Sequence, residues 1–204
     1  MMQTAPAQNL ERHFASKAEY LALEEKSKER HEYRNGEVVA MAGGTLEHSR
    51  ISVNVTTALS IALKKKQCSA FNSDLKVETA ASFVYPDVSV VCGPVEFTEN
   101  RRDTVRNPLL VVEVLSDSTE TYDRGDKFAA YRELPSFREY VLVAQDKPSV
   151  EVFTKQDEKH WLMTVVTGLD DTVPLASLDV TLSMRDIYDK VVVSGQSSVA
   201  SVSR

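Results

Sequence analysis

Apolar residues recur at helical spacing in several parts of the chain. Ile51, Val55 and Leu59 lie four residues apart, and a run of lysines follows where cations suit the end of a helix. Ser16 and Glu19 match the pattern of a capping box at the start of a helix. The predicted helices cover about Ser16–Arg30, Ile51–Ala62, Asp123–Leu134 and Met184–Asp189.

Short β-branched runs bounded by turn residues predict a strand-rich remainder. The dipeptide Asn35-Gly36 predicts a hairpin turn within Glu32–Met41. The run LLVVEVL, Leu109–Leu115, is nearly continuously apolar, as in a central strand covered on both faces. Further strands are predicted at Ala70–Glu78, Asp87–Cys92, Glu139–Val143, Val150–Thr154 and Trp161–Val166. This order predicts an α/β domain with a mixed central β-sheet flanked by helices, not a doubly wound Rossmann fold.

The domain organisation follows from length and composition. A chain of 204 residues with 42% hydrophobic residues can build one core, and we expect one domain over Ser16–Val193. We expect a disordered leader over Met1–Ala15 and a disordered tail over Ser194–Arg204. Charged residues interrupt the first twenty positions, so no signal peptide is predicted. No run approaches the roughly 18 apolar residues of a membrane span, and we expect a soluble, cytoplasmic protein.

Charge and cysteine content narrow the classes of function. The formal net charge is -6, so any nucleic-acid affinity must come from a local basic patch. Cys68 and Cys92 are the two cysteines, and there are four histidines, which argues against a disulfide framework and a familiar zinc cluster. A reducing compartment is expected, with Cys92 as a small buried hydrophobic residue.

A carboxylate stands where the central strand should be apolar. Glu113 lies within LLVVEVL, where an ionised group costs several kcal/mol unless a cation or hydrogen-bond donors compensate it. Asp87 opens the preceding strand in YPDVSVV. Two carboxylates at the ends of neighbouring strands suit Mg²⁺ or Mn²⁺, together with a backbone carbonyl such as that of Val114. A buried acid paired with a structural lysine or arginine is the alternative for Glu113.

Lys127 is the candidate cation for this site. It follows the Glu113 strand, on the next predicted helix, and could position or deprotonate a water or stabilise charge on the phosphate. The alternative is a solvated helix lysine paired with Asp123 four residues earlier.

Several motifs together resemble the Uma-two family of restriction endonucleases, within the PD-(D/E)XK superfamily. They are YRNGEVVAMAGGTLEHSRI, SDLKV, YPDVSVVC, LLVVEVLSDST and DRGDKFAAYRELPSFREYVLV. The resemblance covers about Lys17–Tyr188 and implies a restriction-endonuclease-like core in which Asp87 and Glu113 bind the metal.

The sequence departs from the superfamily pattern at one position, and the resemblance points to two further residues of the site. The superfamily pattern places a lysine one residue after the acid, and Leu115 stands at that position. The family pattern implies that Lys127 replaces it. It further implies roles for Glu37 and His48 as additional acidic or polar groups of the active site.

Two functions remain open from the sequence. The first is a Mg²⁺-dependent DNA endonuclease that hydrolyses phosphodiester bonds through a metal-activated water. Since cutting both strands of a duplex usually requires two sites, a homodimer is expected. The second is a catalytically weak or inactive nucleic-acid-binding or regulatory module on the same fold, which the net charge of -6 and Leu115 favour.

Overall fold

A computed structural model describes residues 13–193, which form two six-stranded sheets, a two-stranded sheet and five α-helices. The helices are α1 Lys17–Glu24, α2 Leu46–Ala62, α3 Glu120–Tyr122, α4 Phe128–Arg132 and α5 Met184–Ile187, with a π-helical segment, Asp123–Lys127, between α3 and α4. The strands are β1 His13–Phe14, β2 His31–Arg34, β3 Glu37–Ala40, β4 Cys68–Asn72, β5 Lys76–Glu78, β6 Ser82–Val84, β7 Val88–Cys92, β8 Thr104–Val105, β9 Leu110–Val114, β10 Glu139–Val143, β11 Ser149–Lys155, β12 Trp161–Thr167, β13 Thr172–Leu175 and β14 Val180–Ser183.

The central sheet, in the order β12-β11-β10-β9-β7-β4, is mixed. Strands β9 and β10 are parallel, and the other neighbours are antiparallel. Because side chains alternate along a strand, Val112 and Val114 pack with Ile51 of α2, whereas Val111 packs with Tyr131 of α4 on the opposite face. The predicted mixed sheet flanked by helices is therefore confirmed.

A second sheet, in the order β1-β3-β2-β6-β5-β8, lies outside the predicted architecture. The segment predicted as one strand, Ala70–Glu78, is divided between the two sheets. Its break is a turn in which Asp74 N donates to Asn72 Oδ1 at 3.2 Å, because an asparagine side chain can replace a backbone acceptor and reverse the chain. The prediction of a single continuous strand was wrong.

Local signals at the N-terminal helices and hairpin behave as predicted. Both hydrogen bonds of the Ser16–Glu19 capping box are present at the start of α1. Asn35 and Gly36 have φ values of 50° and 96°, as the hairpin turn requires. Helix α2 begins earlier than predicted because Thr45 Oγ1 accepts a hydrogen bond from His48 N at 3.1 Å and caps it.

The two cysteines depart from the prediction. Cys68 on β4 lies opposite Cys92 on β7, and the two form a disulfide. The argument against a disulfide, and the expectation that Cys92 is a small buried hydrophobic residue, were therefore wrong. Their pairing depends on strands that meet only in the folded sheet, so spacing along the chain did not show it.

The described residues can be compared with the predicted boundaries of the domain. Strand β1 pairs with β3, so the paired chain begins before the predicted boundary at Ser16. The rest of the predicted leader, residues 1–12, and the predicted tail, residues 194–204, lie outside the described residues. Within 13–193, no helix is both long and apolar enough to cross a membrane.

Candidate active site

The two predicted carboxylates lie beside each other at one end of the central sheet. Strands β7 and β9 pair antiparallel with Val88 opposite Val112, which brings Asp87 to the position next to Glu113. Asp87 N lies 3.4 Å from Glu113 Oε2, and Asp87 Oδ2 accepts a hydrogen bond from Val114 N at 2.7 Å. The sheet register alone therefore places both acids at one point.

Glu113 is buried on the face of β9 that packs against α4. Its Oε1 lies 2.9 Å from Lys127 Nζ and accepts a hydrogen bond from Tyr131 Oη at 3.1 Å. Burial raises the pKa of Glu113 well above its ordinary value, although the Lys127 charge acts in the opposite direction. Leu115 lies on the same face, in the hydrophobic cluster with Tyr131.

Lys127 points into the protein from the π-helical segment. Its Nζ lies 2.9 Å from Glu113 Oε1 and 3.5 Å from both Glu32 Oε1 and Asp123 Oδ1. Burial alone lowers the pKa of Lys127, but the carboxylates of Glu113 and Glu32 outweigh it and hold the pKa well above its ordinary value. The i,i+4 pair with Asp123 is present, yet the lysine is buried, so the alternative of a solvated helix lysine is wrong.

Glu32 is a member of this cluster that the sequence did not reveal. It lies on β2 and is buried. Its Oε1 accepts a hydrogen bond from Tyr85 N at 3.0 Å, and its Oε2 accepts one from Arg34 Nε at 2.9 Å. The sequence showed only that an acidic residue lies in the first strand of the Asn35-Gly36 hairpin. The pairing of that strand in the folded protein is what brings Glu32 to the site.

Glu37, which the resemblance had placed at the site, lies on the other strand of the same hairpin. It lines a neighbouring cavity with Asn35, Ser82, Tyr122 and Asp126, which shares Arg34 and Val39 with the cavity around Asp87 and Glu113. Of the two glutamates, Glu32 is the one whose Oε1 lies 3.5 Å from Lys127 Nζ.

His48 contacts the site from the first turn of α2. Its Nε2 lies 3.3 Å from Asp87 Oδ2. The hydrogen bond to Asp87 raises the pKa of His48 above its ordinary value, against the opposing effect of burial. Thr45, which caps this helix, also donates a hydrogen bond to Gln145 Oε1 at 2.7 Å. The histidine is therefore held against Asp87 by the start of α2.

These side chains surround a cavity of about 460 Å³. Its polar lining includes Glu32, His48, Asp87, Glu113, Asp123 and Lys127. Within residues 13–193, no group of three or more His, Cys, Asp or Glu side chains has the arrangement of a metal site. Mg²⁺ is usually held by one or two carboxylates together with waters, so the adjacent Asp87 and Glu113 are chemically suited to it.

A family model and two related proteins match most of this chain. The model of the Uma2 family, described as "Putative restriction endonuclease", matches residues 18–185. The uncharacterized protein slr1290 of Synechocystis sp. is 38% identical over 177 residues, which are 85% of this chain and 90% of that protein. A second Synechocystis protein, sll1609, is 36% identical over 153 residues, which are 74% of this chain and 86% of that protein.

A solved structure has the same fold. It is a crystal structure from Anabaena variabilis described as "a putative nuclease belonging to DUF820", with a TM-score of 0.67 and 20% identity. The alignment covers 81% of this chain and 93% of that one. The predicted restriction-endonuclease-like fold class is thereby confirmed.

Proposed function

The chain belongs to the Uma2 family, and we propose that it is a Mg²⁺- or Mn²⁺-dependent endonuclease that hydrolyses phosphodiester bonds in DNA. The observation that carries the proposal is the Glu113 carboxylate, buried in a central strand between Asp87 and the Lys127 amine. Burying such a group costs several kcal/mol unless partners compensate it, and a hydrophobic residue would serve the sheet better. Two adjacent carboxylates beside an amine support metal-assisted hydrolysis of a phosphodiester.

Asp87 and Glu113 would hold the cation. Both supply hard oxygen ligands, and the described residues that line the cavity include one histidine and no cysteine to favour a softer metal. When bound, a divalent cation polarises the phosphate and lowers the pKa of a water ligand. His48 contributes by fixing the Asp87 carboxylate, whose Oδ2 already accepts a hydrogen bond from Val114 N.

Lys127 supplies positive charge next to the reacting phosphate. Because its pKa is raised by Glu113 and Glu32, the amine stays protonated near neutral pH. It therefore stabilises the negative charge that develops on the phosphate and orients the water, rather than removing a proton from it. Glu32 also holds the amine in place, with its Oε1 3.5 Å from Lys127 Nζ.

Arg34 provides a further positive charge at the rim of the same cavity. Its guanidinium lies 3.7 Å from the centre of the Tyr122 ring and donates to Glu32 Oε2 through Nε. A guanidinium pre-oriented by an aromatic ring and a carboxylate suits a phosphate oxygen.

Cleavage of supercoiled plasmid with Mg²⁺ or Mn²⁺ tests the proposal. The wild-type protein is compared with Asp87→Asn and Glu113→Gln, and with Asp126→Asn as a control at an exposed position of the π-helical segment. We expect metal-dependent nicking that falls about a hundredfold or more in the two site variants and is unchanged in the control.

The same experiment separates the alternative function. No nicking by the wild-type protein, or equal nicking by all four proteins, would overturn the endonuclease. DNA binding by those inactive proteins, measured by fluorescence anisotropy, would then identify a nucleic-acid-binding module. Single-stranded DNA and RNA substrates in parallel reactions distinguish the substrate classes.

A further inference from the structure

Tyr131 carries a hydroxyl group at a position where packing alone does not need one. The residue lies on α4, is 0% exposed and belongs to the hydrophobic cluster on the α4 face of the central sheet. Its ring packs against Phe137 and Tyr140, whose ring centroids lie 5.5 and 5.8 Å away. A buried hydroxyl costs free energy unless it forms a hydrogen bond, and phenylalanine would fill the same space without that cost. The hydroxyl is therefore explained by its partner and not by packing.

That partner is the buried carboxylate of Glu113. Tyr131 Oη donates to Glu113 Oε1 at 3.1 Å, and among the described residues this is the one hydrogen bond of the hydroxyl. A phenol keeps its proton at neutral pH, so the tyrosine donates and the carboxylate accepts. Lys127 Nζ lies 2.9 Å from the same oxygen. Both contacts of Oε1 thus come from one helical stretch, in which Lys127 and Tyr131 are four residues apart and share a face.

The two oxygens of Glu113 have different neighbours. Oε1 contacts the amine of Lys127 and the hydroxyl of Tyr131, whereas Oε2 lies 3.4 Å from Asp87 N. Asp87 is the other residue that would hold the cation. The carboxylate cannot turn about its last bond without losing its hydrogen bond to Tyr131, so this bond keeps Oε2 beside Asp87.

Lys127 is less suited to fix the orientation of the carboxylate. Its amine ends a flexible chain with three rotatable donors, and it also lies 3.5 Å from Glu32 Oε1 and from Asp123 Oδ1. The amine can therefore follow the carboxylate when the carboxylate turns. The tyrosine cannot, because its enclosed ring holds the hydroxyl in one place.

We propose that Tyr131 is a positioning residue of the active site, which holds Glu113 Oε1 so that Oε2 is left for the cation. The inference rests on the proposed role of Glu113 as a metal ligand. Tyr131 acts through Glu113 and is not itself a ligand. Hydrogen-bond partners orient the side chains that bind a metal, and the loss of such a partner typically lowers metal affinity by about 10- to 100-fold.

Binding of Mn²⁺ alone to the full chain tests this role, with free Mn²⁺ followed by electron paramagnetic resonance. We expect Tyr131→Phe, which removes the hydroxyl and keeps the ring, to raise the Kd for Mn²⁺ about tenfold. Tyr20→Phe is the matched control, because Tyr20 is also 0% exposed and its hydroxyl also donates one hydrogen bond, to His31 O at 2.7 Å. The control should bind Mn²⁺ as the wild-type protein does, and Glu113→Gln should lose the site.

The dependence of plasmid nicking on metal concentration gives a second readout. In Tyr131→Phe the Mn²⁺ concentration for half-maximal nicking should rise about tenfold, as the Kd does. Because the proposed defect lies in metal binding, excess Mn²⁺ should bring nicking back to within about threefold of the wild-type rate. A variant that is merely less well folded would not be restored by metal in this way.

The outcomes separate this inference from the proposed function. Equal Mn²⁺ affinity in Tyr131→Phe and the wild-type protein, with binding lost in Glu113→Gln, would overturn the positioning role and leave the metal site in place. An equal loss of affinity in Tyr20→Phe would assign the effect to packing and would also overturn it. Binding that depends on both Glu113 and Tyr131 but brings no nicking would support the positioning role and overturn the endonuclease. Equal binding by all four proteins would overturn both.

Discussion

Lys127 and Glu113 form a salt bridge inside the protein, with Nζ 2.9 Å from Oε1 and neither side chain more than 6% exposed. The lysine comes from the π-helical segment and the glutamate from the central strand β9. Leu115, on the same face of that strand, is apolar, so the positive charge reaches Glu113 from the helix instead. The salt bridge therefore has two roles: it belongs to the proposed active site, and it helps to hold α4 against the sheet.

The substitution Lys127→Met tests the contribution of the lysine to stability separately from its role in the chemistry. The variant leaves Glu113 buried without its cation and should lower the free energy of unfolding by about 3–5 kcal/mol. The double variant Lys127→Met, Glu113→Gln removes both charges, and we expect it to recover most of the stability but none of the nicking. Urea unfolding and plasmid nicking measure the two properties. A Lys127→Met protein as stable as the wild type, or an active double variant, would contradict the assignment.

The sequence revealed the parts of the fold that depend on neighbouring residues. Helix α2, the hairpin turn at Asn35-Gly36 and strand β9 follow from local periodicity and turn chemistry, and all three are present. The division of Ala70–Glu78 between two sheets depends on which strands lie next to it in space. That choice is made by long-range pairing, which periodicity does not encode.

The same limit applies to the site. Asp87 and Glu113 could be predicted because a charge in an apolar strand is conspicuous. Lys127 was predicted from its place on the helix after the Glu113 strand and from the family pattern, and its burial became visible only in the structure. Glu32 gave no comparable signal, because an acidic residue in a short hairpin is ordinary unless the hairpin packs on the Lys127 segment.

The disulfide between Cys68 and Cys92 should stabilise the fold without affecting the chemistry. The two residues are separated by 24 positions, and the cross-link of a loop of this length stabilises the fold by about 3.5 kcal/mol. Cys92 ends β7, and Asp87 precedes its first residue. We therefore expect Cys68→Ser, Cys92→Ser to lower the thermal midpoint while nicking at a permissive temperature is unchanged.

Reductant provides the control for this prediction. Dithiothreitol should lower the thermal midpoint of the wild-type protein and leave that of the double serine variant unchanged. Alkylation of both cysteines in the native protein without reductant, followed by mass spectrometry, would show free thiols and contradict the prediction.

The contact between His48 and Asp87 should make stability depend on pH in the absence of metal. The pKa of His48 is raised in the folded state, above an unfolded value of about 6.5. The stabilisation is therefore fully present below about pH 6.5 and is lost as pH rises through the folded-state pKa. We expect His48→Gln to cost about 0.5–1 kcal/mol near pH 6 and less near pH 9.

Urea unfolding in EDTA at the two pH values measures this difference. His160→Gln, at an exposed position outside the cavity, is the matched control. An equal loss of stability in His48→Gln at both pH values would show that the histidine acts through packing and not through its charge.

Glu32 and Glu37 offer a direct comparison between geometry and family resemblance, since both are glutamates on strands of one hairpin. Glu32 Oε1 lies 3.5 Å from Lys127 Nζ, whereas Glu37 lines the neighbouring cavity, which shares Arg34 and Val39 with that of the site. Glu32→Gln keeps an oxygen that can accept the Tyr85 N–H but removes the charge that holds the lysine. We expect kcat for nicking to fall about tenfold with KM unchanged, as for an interaction that serves the transition state. Glu37→Gln should stay within about twofold of the wild-type kcat. The reverse result, with activity lost in Glu37→Gln and kept in Glu32→Gln, would restore the role that the resemblance implied and remove Glu32 from the site.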